Sequence, residues 1–211
     1  EDTQSFAGFV LHVGTVAEGA LALGAAGTAT VDYGRRRKIA PNHSMTHALN
    51  FALRSVLGST VDQRGSLCDD AKLRFDFTAK GALSEEQLRA VEAECRAQIE
   101  RKLPVTAAVL PLDKAMALPG LRAVFGEQYP DPVRVLSIGG DIEAMAAGVE
   151  APELSLELCG GTHVTNTEEA KAFALVQEEA IAKGVRRITA VTGEAAEAAA
   201  AAGAELEERV A

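Results

Sequence analysis

Two pairs of residues in this chain have the types and spacing of metal ligands. His43 and His47 lie four apart in APNHSMTHALNFALRSVLG, and Cys159 and His163 lie four apart in CGGTH. On a helix, one turn of about 5.4 Å brings imidazoles at i and i+4 to one point, so HxxxH is a common half of a metal site. Taken alone it is a weak signal, because the pattern often arises by chance. The second pair flanks Gly160 and Gly161, which puts it on a turn where small residues let the backbone fold around a bound atom. Together the four residues offer nitrogen and sulfur donors that suit tetrahedral zinc at about 2.0–2.3 Å. Three of the chain's four histidines fall in this set, which makes it the chief candidate for chemistry. Four protein ligands describe a closed, structural site, whereas a catalytic zinc keeps a position for water or substrate; spacing alone does not choose between them. No phosphate-cradling loop, dinucleotide fingerprint or nucleophile elbow competes with it.

The elements that must position these donors are legible as patterns. After RRRK (35–38) the chain turns helical: Asn42 is expected to cap the first turn, Met45, Leu49, Ala52 and Val56 recur at helical spacing, and Gly58 sits where a helix ends. His43 and His47 share the adjoining face with Asn50 and Arg54. LRFDF alternates Leu73, Phe75 and Phe77 with Arg74 and Asp76, as a half-buried strand does. Ser84 followed by Gln87 reads as a capping box opening a long helix, with Leu88, Val91, Cys95 and Ile99 on one stripe, so Cys95 belongs to the core. Strand-like runs follow at 105–110, 133–138, 154–158, 172–176 and 187–191, with YPDP (129–132) as a rigid turn. Before the histidines, short alternating runs broken by glycines have the grammar of a small barrel. His12, in one of those runs, is expected to pack against a neighbouring strand. Strands and helices in no regular βαβ alternation predict an α+β fold: a small glycine-rich β-barrel segment followed by an editing-type core of antiparallel or mixed sheet covered by helices. The expected divisions are 1–38, 39–195 and 196–211, the last being the start of a helical connector.

Composition narrows the function. The net charge of −9 disfavours tight autonomous binding to nucleic acid, where Lys and Arg supply most of the affinity. RRRK is the local exception, and a solvated turn is its plainer reading. No apolar run approaches the roughly 20 residues of a membrane span, and the acidic start has no signal-peptide pattern. Three scattered cysteines fit a reducing compartment, so a cytoplasmic location is expected.

NHSMTHALNFALR, VDQRGSL, LRFDFTAKG, GLRAVFGEQYPDPVRVLSIG, LCGGTHV and AIAKGVRRITAVTGE, in that order, resemble the editing region of the alanyl-tRNA synthetase family, from about Phe6 to Glu194 and in wording closest to eukaryotic forms. The resemblance implies hydrolysis of wrongly attached serine or glycine from tRNA(Ala), with Zn2+ held by His43, His47, Cys159 and His163. It implies that Thr46 senses the serine hydroxyl, that Gln63 lines the pocket, and that Gly160 and Gly161 shape the loop against the substrate. Plainer readings stand beside these: Thr46 bonding back to the preceding helical turn, Gln63 completing a turn beside Gly65, and Arg186 and Arg187 pairing with surface glutamates rather than tRNA phosphates. Thr78 and Ala79 stand where many bacterial members carry Ser-His after RFDF, so no role for that histidine transfers. The implied partners are the aminoacylated acceptor end of tRNA(Ala) and the other domains of a parent synthetase, with no membrane. A threonyl-tRNA synthetase-type editing domain and a non-catalytic, zinc-stapled tRNA-binding module are the alternatives.

Overall fold

A computed structural model describes residues 2–6, 9–124, 126–149 and 155–210. Contacts divide the chain into two units, Glu1–Asp32 and Tyr33–Ala211. In the first, β1 (Asp2–Phe6) and β2 (Phe9–Val13) form an antiparallel hairpin with Thr3 opposite His12 and Gln4 opposite Leu11. Two strands leave both edges open; of the expected barrel segment, the described residues contain this hairpin and no closed barrel.

The second unit is built on α1 (Tyr33–Leu57). This helix starts earlier than the sequence pattern predicts. RRRK is its first turns rather than a solvated loop, Arg36 lies over the Tyr33 ring at 5.5 Å one turn back, and Pro41 lies inside it. Asn42 therefore does not cap the helix. Its side chain ties the helix to two other elements instead, donating to the Asp69 carbonyl at 2.9 Å and accepting from the Thr192 hydroxyl at 2.8 Å.

Two antiparallel sheets flank α1. One has the order β3 (Gln63–Cys68), β4 (Leu73–Thr78), β9 (Val185–Thr192), β8 (Phe173–Ala182); the other has the order β5 (Val105–Leu110), β6 (Val133–Ile138), β7 (Ser155–Leu158). Leu154, expected at the start of the β7 run, lies outside the described residues. The α+β architecture agrees with the expected fold class. α2 (Glu85–Glu100) opens on the Ser84/Gln87 capping box, with both reciprocal hydrogen bonds formed. α3 (Leu112–Met116) and α4 (Ile142–Ala146) are single turns, and a 3-10 turn spans Thr167–Ala170. α5 (Gly193–Val210) begins before the expected connector, and Ala196 in its first turn is buried.

The apolar periodicities converge as patterning requires. Met45, Leu49, Ala52 and Leu53 of α1 share one core with Leu73, Phe75 and Phe77 of β4 and Val91, Cys95 and Ile99 of α2. A second core joins Val133 and Val135 of β6 and Leu156 and Leu158 of β7 to the small helices. Asp76 departs from simple alternation, since it is buried. Arg187 on the paired strand holds it bidentately at 2.7 and 2.8 Å, which makes burial of the carboxylate tolerable. Arg186 pairs with Glu178. Both arginines thus take the pairing role rather than offering free charge to phosphates.

Candidate metal centre and the cavity beside it

The apolar stripe that anchors α1 turns the neighbouring stripe, His43 and His47, toward the end of β7. The chain leaves that strand through Cys159 and turns back over Gly160 and Gly161 to His163. One ligand atom from each of His43, His47, Cys159 and His163 lies within 4.8 Å of the others. The Cys159 Sγ is 3.4 Å from His43 Nε2 and 3.3 Å from His163 Nε2. Tetrahedral zinc with bonds of about 2.0–2.3 Å needs donors about 3.3–3.8 Å apart, so these separations fit.

Each imidazole is oriented through its other nitrogen. Nδ1 of His43 faces the Thr162 carbonyl at 3.2 Å, Nδ1 of His47 faces Glu157 Oε2 at 2.6 Å, and Nδ1 of His163 faces the Ser44 hydroxyl at 3.2 Å. All three partners have an oxygen that can accept, which assigns the proton to Nδ1 and leaves Nε2 as the donor to a metal. Nε2 of His47 is buried and has no hydrogen-bond partner. An orphaned buried nitrogen is costly. Three convergent Nε2 atoms and a sulfur around it are the setting in which a metal ion would satisfy it, so the residues fit zinc.

The electrostatics without metal agree. Burial pushes the Cys159 thiol up, but hydrogen bonds from His163, His43 and His47 overcome it and bring the group down to about 3, a thiolate. Burial lowers His47, but the Glu157 carboxylate and the Cys159 thiolate outweigh it and raise the imidazole to about 10. His163 is held down at about 4, first by burial and then by the neighbouring imidazoles, so it stays neutral and able to ligate.

The turn itself is held by polar contacts. Arg134 of β6 donates through Nη1 to the carbonyls of Cys159 at 2.9 Å and Gly161 at 2.8 Å. A Cβ on Gly161 would stand 2.0 Å from Cε1 of His43, so only glycine lets that ring lie against the turn. Gly160 has nothing within 4 Å of such an atom.

Of the other expected site residues, Thr46 is buried on α1 and its hydroxyl donates to the Asn42 carbonyl at 2.9 Å, the back-bonded arrangement. Gln63 is not among the metal donors: its Nε2 donates to the Ser66 hydroxyl at 3.1 Å, and it lines a cavity of about 620 Å³. Asn50 and Glu157 line that cavity as well. Asn50 Nδ2 donates to Glu157 Oε1 at 2.8 Å, so a buried chain of Asn50, Glu157 and His47 joins cavity to metal centre. Sequence reasoning missed Glu157, Ser44 and Arg134. The charge inside the apolar LSLEL run was the one available signal for Glu157; nothing local marks Ser44 or Arg134.

Residues 133–189 match the family described as the threonyl and alanyl tRNA synthetase second additional domain. That segment holds β6, β7 and the Cys159/His163 turn. The mitochondrial alanine–tRNA ligase of Saccharomyces cerevisiae is 50% identical over 196 residues, 92% of this chain and 20% of the relative. The alanine–tRNA ligase of Candida albicans is 48% identical over 195 residues, 91% of this chain and 20% of that protein. This chain is a relative of one segment of the alanine–tRNA ligases. The cytoplasmic alanine–tRNA ligase of Dictyostelium discoideum is 43% identical over 214 residues, 99% of this chain. The chain spans about a fifth of the length of these ligases, 20 to 23% of each. Among the described residues, no helix is long and apolar enough to cross a membrane.

Proposed function

We propose that this chain is the editing part of an alanyl-tRNA synthetase and hydrolyses the ester of serine or glycine wrongly attached to tRNA(Ala). The observation that carries the reading is the convergence of three Nε2 atoms and the Cys159 thiolate around the orphaned His47 nitrogen, in a segment shared with alanine–tRNA ligases. His43, His47, Cys159 and His163 would hold zinc. Zinc, when bound, supplies Lewis acidity to an ester that is already activated.

The protein's own residues do the rest. Glu157, Ser44 and the Thr162 carbonyl keep the three rings in one tautomer and aim. Gly161 and Arg134 fix the turn over His43. Thr46 has its proton committed to Asn42, so its oxygen is left as an acceptor matched to a serine hydroxyl, which alanine lacks. A synthetic pocket rejects an added hydroxyl by only about 100-fold, and a second site that hydrogen-bonds it supplies the remaining selectivity. Gln63 lines the neighbouring pocket, and Gly160 leaves open space against the substrate. Removal of glycine rests on fit rather than on that hydrogen bond.

The partners in this reading are the acceptor end of tRNA(Ala) and the other domains of a synthetase, in the cytoplasm; the relatives carry both cytoplasmic and mitochondrial names. The matched family covers threonyl and alanyl enzymes alike, and the alanine–tRNA ligase relatives favour the alanyl substrate. The test is release of serine from seryl-tRNA(Ala) beside alanyl-tRNA(Ala). Wild type should deacylate the first and spare the second, His43→Ala and Cys159→Ala should lose activity with their zinc, and Thr46→Val should lose preference for serine. A folded, zinc-loaded wild type that releases no serine would reduce the site to a zinc-stapled binding module.

A further inference from the structure

The cavity beside the metal centre does not end at its own wall. A second cavity of about 380 Å³ adjoins it, and the two have four lining residues in common: Asn50, Arg54, Arg122 and Glu157. Two of the four are spent on each other, since Asn50 donates to Glu157, whose other oxygen holds His47. The remaining two are guanidinium groups. Among the described residues, neither Arg54 nor Arg122 has a side-chain hydrogen bond or an ion pair, and Nη1 of Arg54 is buried with no partner at all. Most arginines of this acidic chain that lie beside carboxylates are paired, as Arg96, Arg186 and Arg187 are. Two unspent guanidiniums facing a common partition, one with a desolvated N–H, mark a place for an oxyanion, because a planar fork of donors matches phosphate oxygens.

The surroundings restrict which anion. The larger cavity is neutral in balance, with Arg54, Arg64 and Arg122 against Asp62, Glu127 and Glu157, so a free polyanion gains little from it as a whole. Glu127 accepts from the Tyr129 hydroxyl, and Glu157 is engaged as above. The smaller cavity has apolar walls from Phe51, Leu156 and Met145. Volumes of about 620 and 380 Å³ both fall within the range of about 300–1,000 Å³ of sites for small ligands. Two neutral chambers with cations at their partition match two nucleosides joined by one phosphodiester.

We infer that the paired cavities bind the unpaired 3′ end of a tRNA, with the terminal nucleoside in the larger chamber, the preceding nucleoside in the smaller, and the phosphate between them on Arg54 and Arg122. The larger chamber takes the terminal nucleoside because Leu158, the residue before Cys159, and Gln63 line it. This inference rests on the editing reading for its substrate, but it concerns binding and not bond cleavage. An unpaired strand is required, since a duplex cannot seat successive nucleosides in separate chambers.

The test is fluorescence anisotropy with a 5′-labelled CCA ribotrinucleotide and zinc-loaded protein, comparing wild type, Arg54→Gln, Arg122→Gln and the double variant. Melting temperature and zinc content verify folding. Each single substitution should weaken binding about tenfold or more and flatten the salt dependence, whose slope is about 0.7 per phosphate contact on single strands. A trinucleotide with a neutral methylphosphonate between the last two nucleosides should bind wild type as weakly as the normal one binds the variants, and the variants should not distinguish the two. The inference is overturned if wild type shows no saturable binding at millimolar trinucleotide, or if folded variants bind within twofold of wild type at an unchanged salt slope. Failure of the editing reading is distinct. Arginine-dependent binding together with intact seryl-tRNA would leave the cavities standing and remove the hydrolysis, whereas serine release at full kcat/KM by the double variant would remove the cavities and leave the hydrolysis.

Discussion

The two halves of the candidate metal centre are held in place by different physics. His43 and His47 ride on α1, whose other face is buried through Met45, Leu49, Ala52 and Leu53 in the main core. Cys159 and His163 ride on a turn with little apolar anchorage, fixed by Arg134, by Ser44 and by the fit of Gly161 against the His43 ring. A helix packed on a core is rigid because many contacts must break together. A turn held by a few hydrogen bonds can be lost without the fold, which makes it the part whose order should depend on a bound metal.

The largest effect should come from the helix side. Leu49→Ala removes a fully buried side chain and should lower unfolding free energy by about 2–5 kcal/mol, with zinc affinity of the folded protein little changed; urea denaturation and zinc titration together check this. Gly161→Ala should do the reverse. Its Cβ, 2.0 Å from the His43 ring, is relieved by swinging that ring out, so zinc affinity should drop about 100-fold while metal-free stability holds, as competition with a chromophoric chelator would report. Equal loss of metal-free stability in both variants would break the contrast.

Glu157→Gln sharpens it within the helix half. The amide keeps the shape but not the charge that orients His47, so zinc affinity should weaken about tenfold, measured with the same chelator. The pH dependence separates the halves again. In the metal-free protein the depressed Cys159, at about 3 against an ordinary 9.0, contributes stability that is complete above its unfolded value and is lost as pH falls toward about 3. The raised His47, at about 10 against 6.5, contributes stability that is complete below its unfolded value and is lost as pH rises through about 10. Melting temperature in a chelator should therefore plateau between about 6.5 and 9 and decline on both sides, and Cys159→Ala should remove the decline between 6.5 and 3 that belongs to the thiolate. The smallest effect belongs to Gly160→Ala, whose Cβ meets nothing within 4 Å. Stability and zinc affinity should stay within about 0.5 kcal/mol of wild type, and any change in serine release would then report contact with substrate.

Much of the fold was legible because periodicity reports burial directly. The stripe of Met45, Leu49 and Ala52, the alternation of Leu73, Phe75 and Phe77, and the Ser84/Gln87 capping box all stand where patterning puts them. The start of α1 was not legible, because Asn42 has the chemistry of a cap and Pro41 that of a first helical residue; tertiary ties from Asn42 to Asp69 and Thr192 use that chemistry elsewhere. Asp76 reads as an outward residue until the strand bearing Arg187 pairs beside it.

The sequence by itself determined which residues could meet a metal, since donor chemistry and a one-turn spacing are properties of the chain: His43, His47, Cys159 and His163 are recognisable before any fold is known. Only the tertiary structure decided that the two pairs face each other, that all three imidazoles present Nε2, and that Glu157, Arg134 and Gly161 hold them there. Those partners lie as far as 110 residues apart, and no local pattern encodes a contact that exists only once β7 and the turn after it pack beside α1. The same holds for Arg54 and Arg122, two ordinary surface arginines in the sequence that become a pair of unspent donors when one partition separates two cavities.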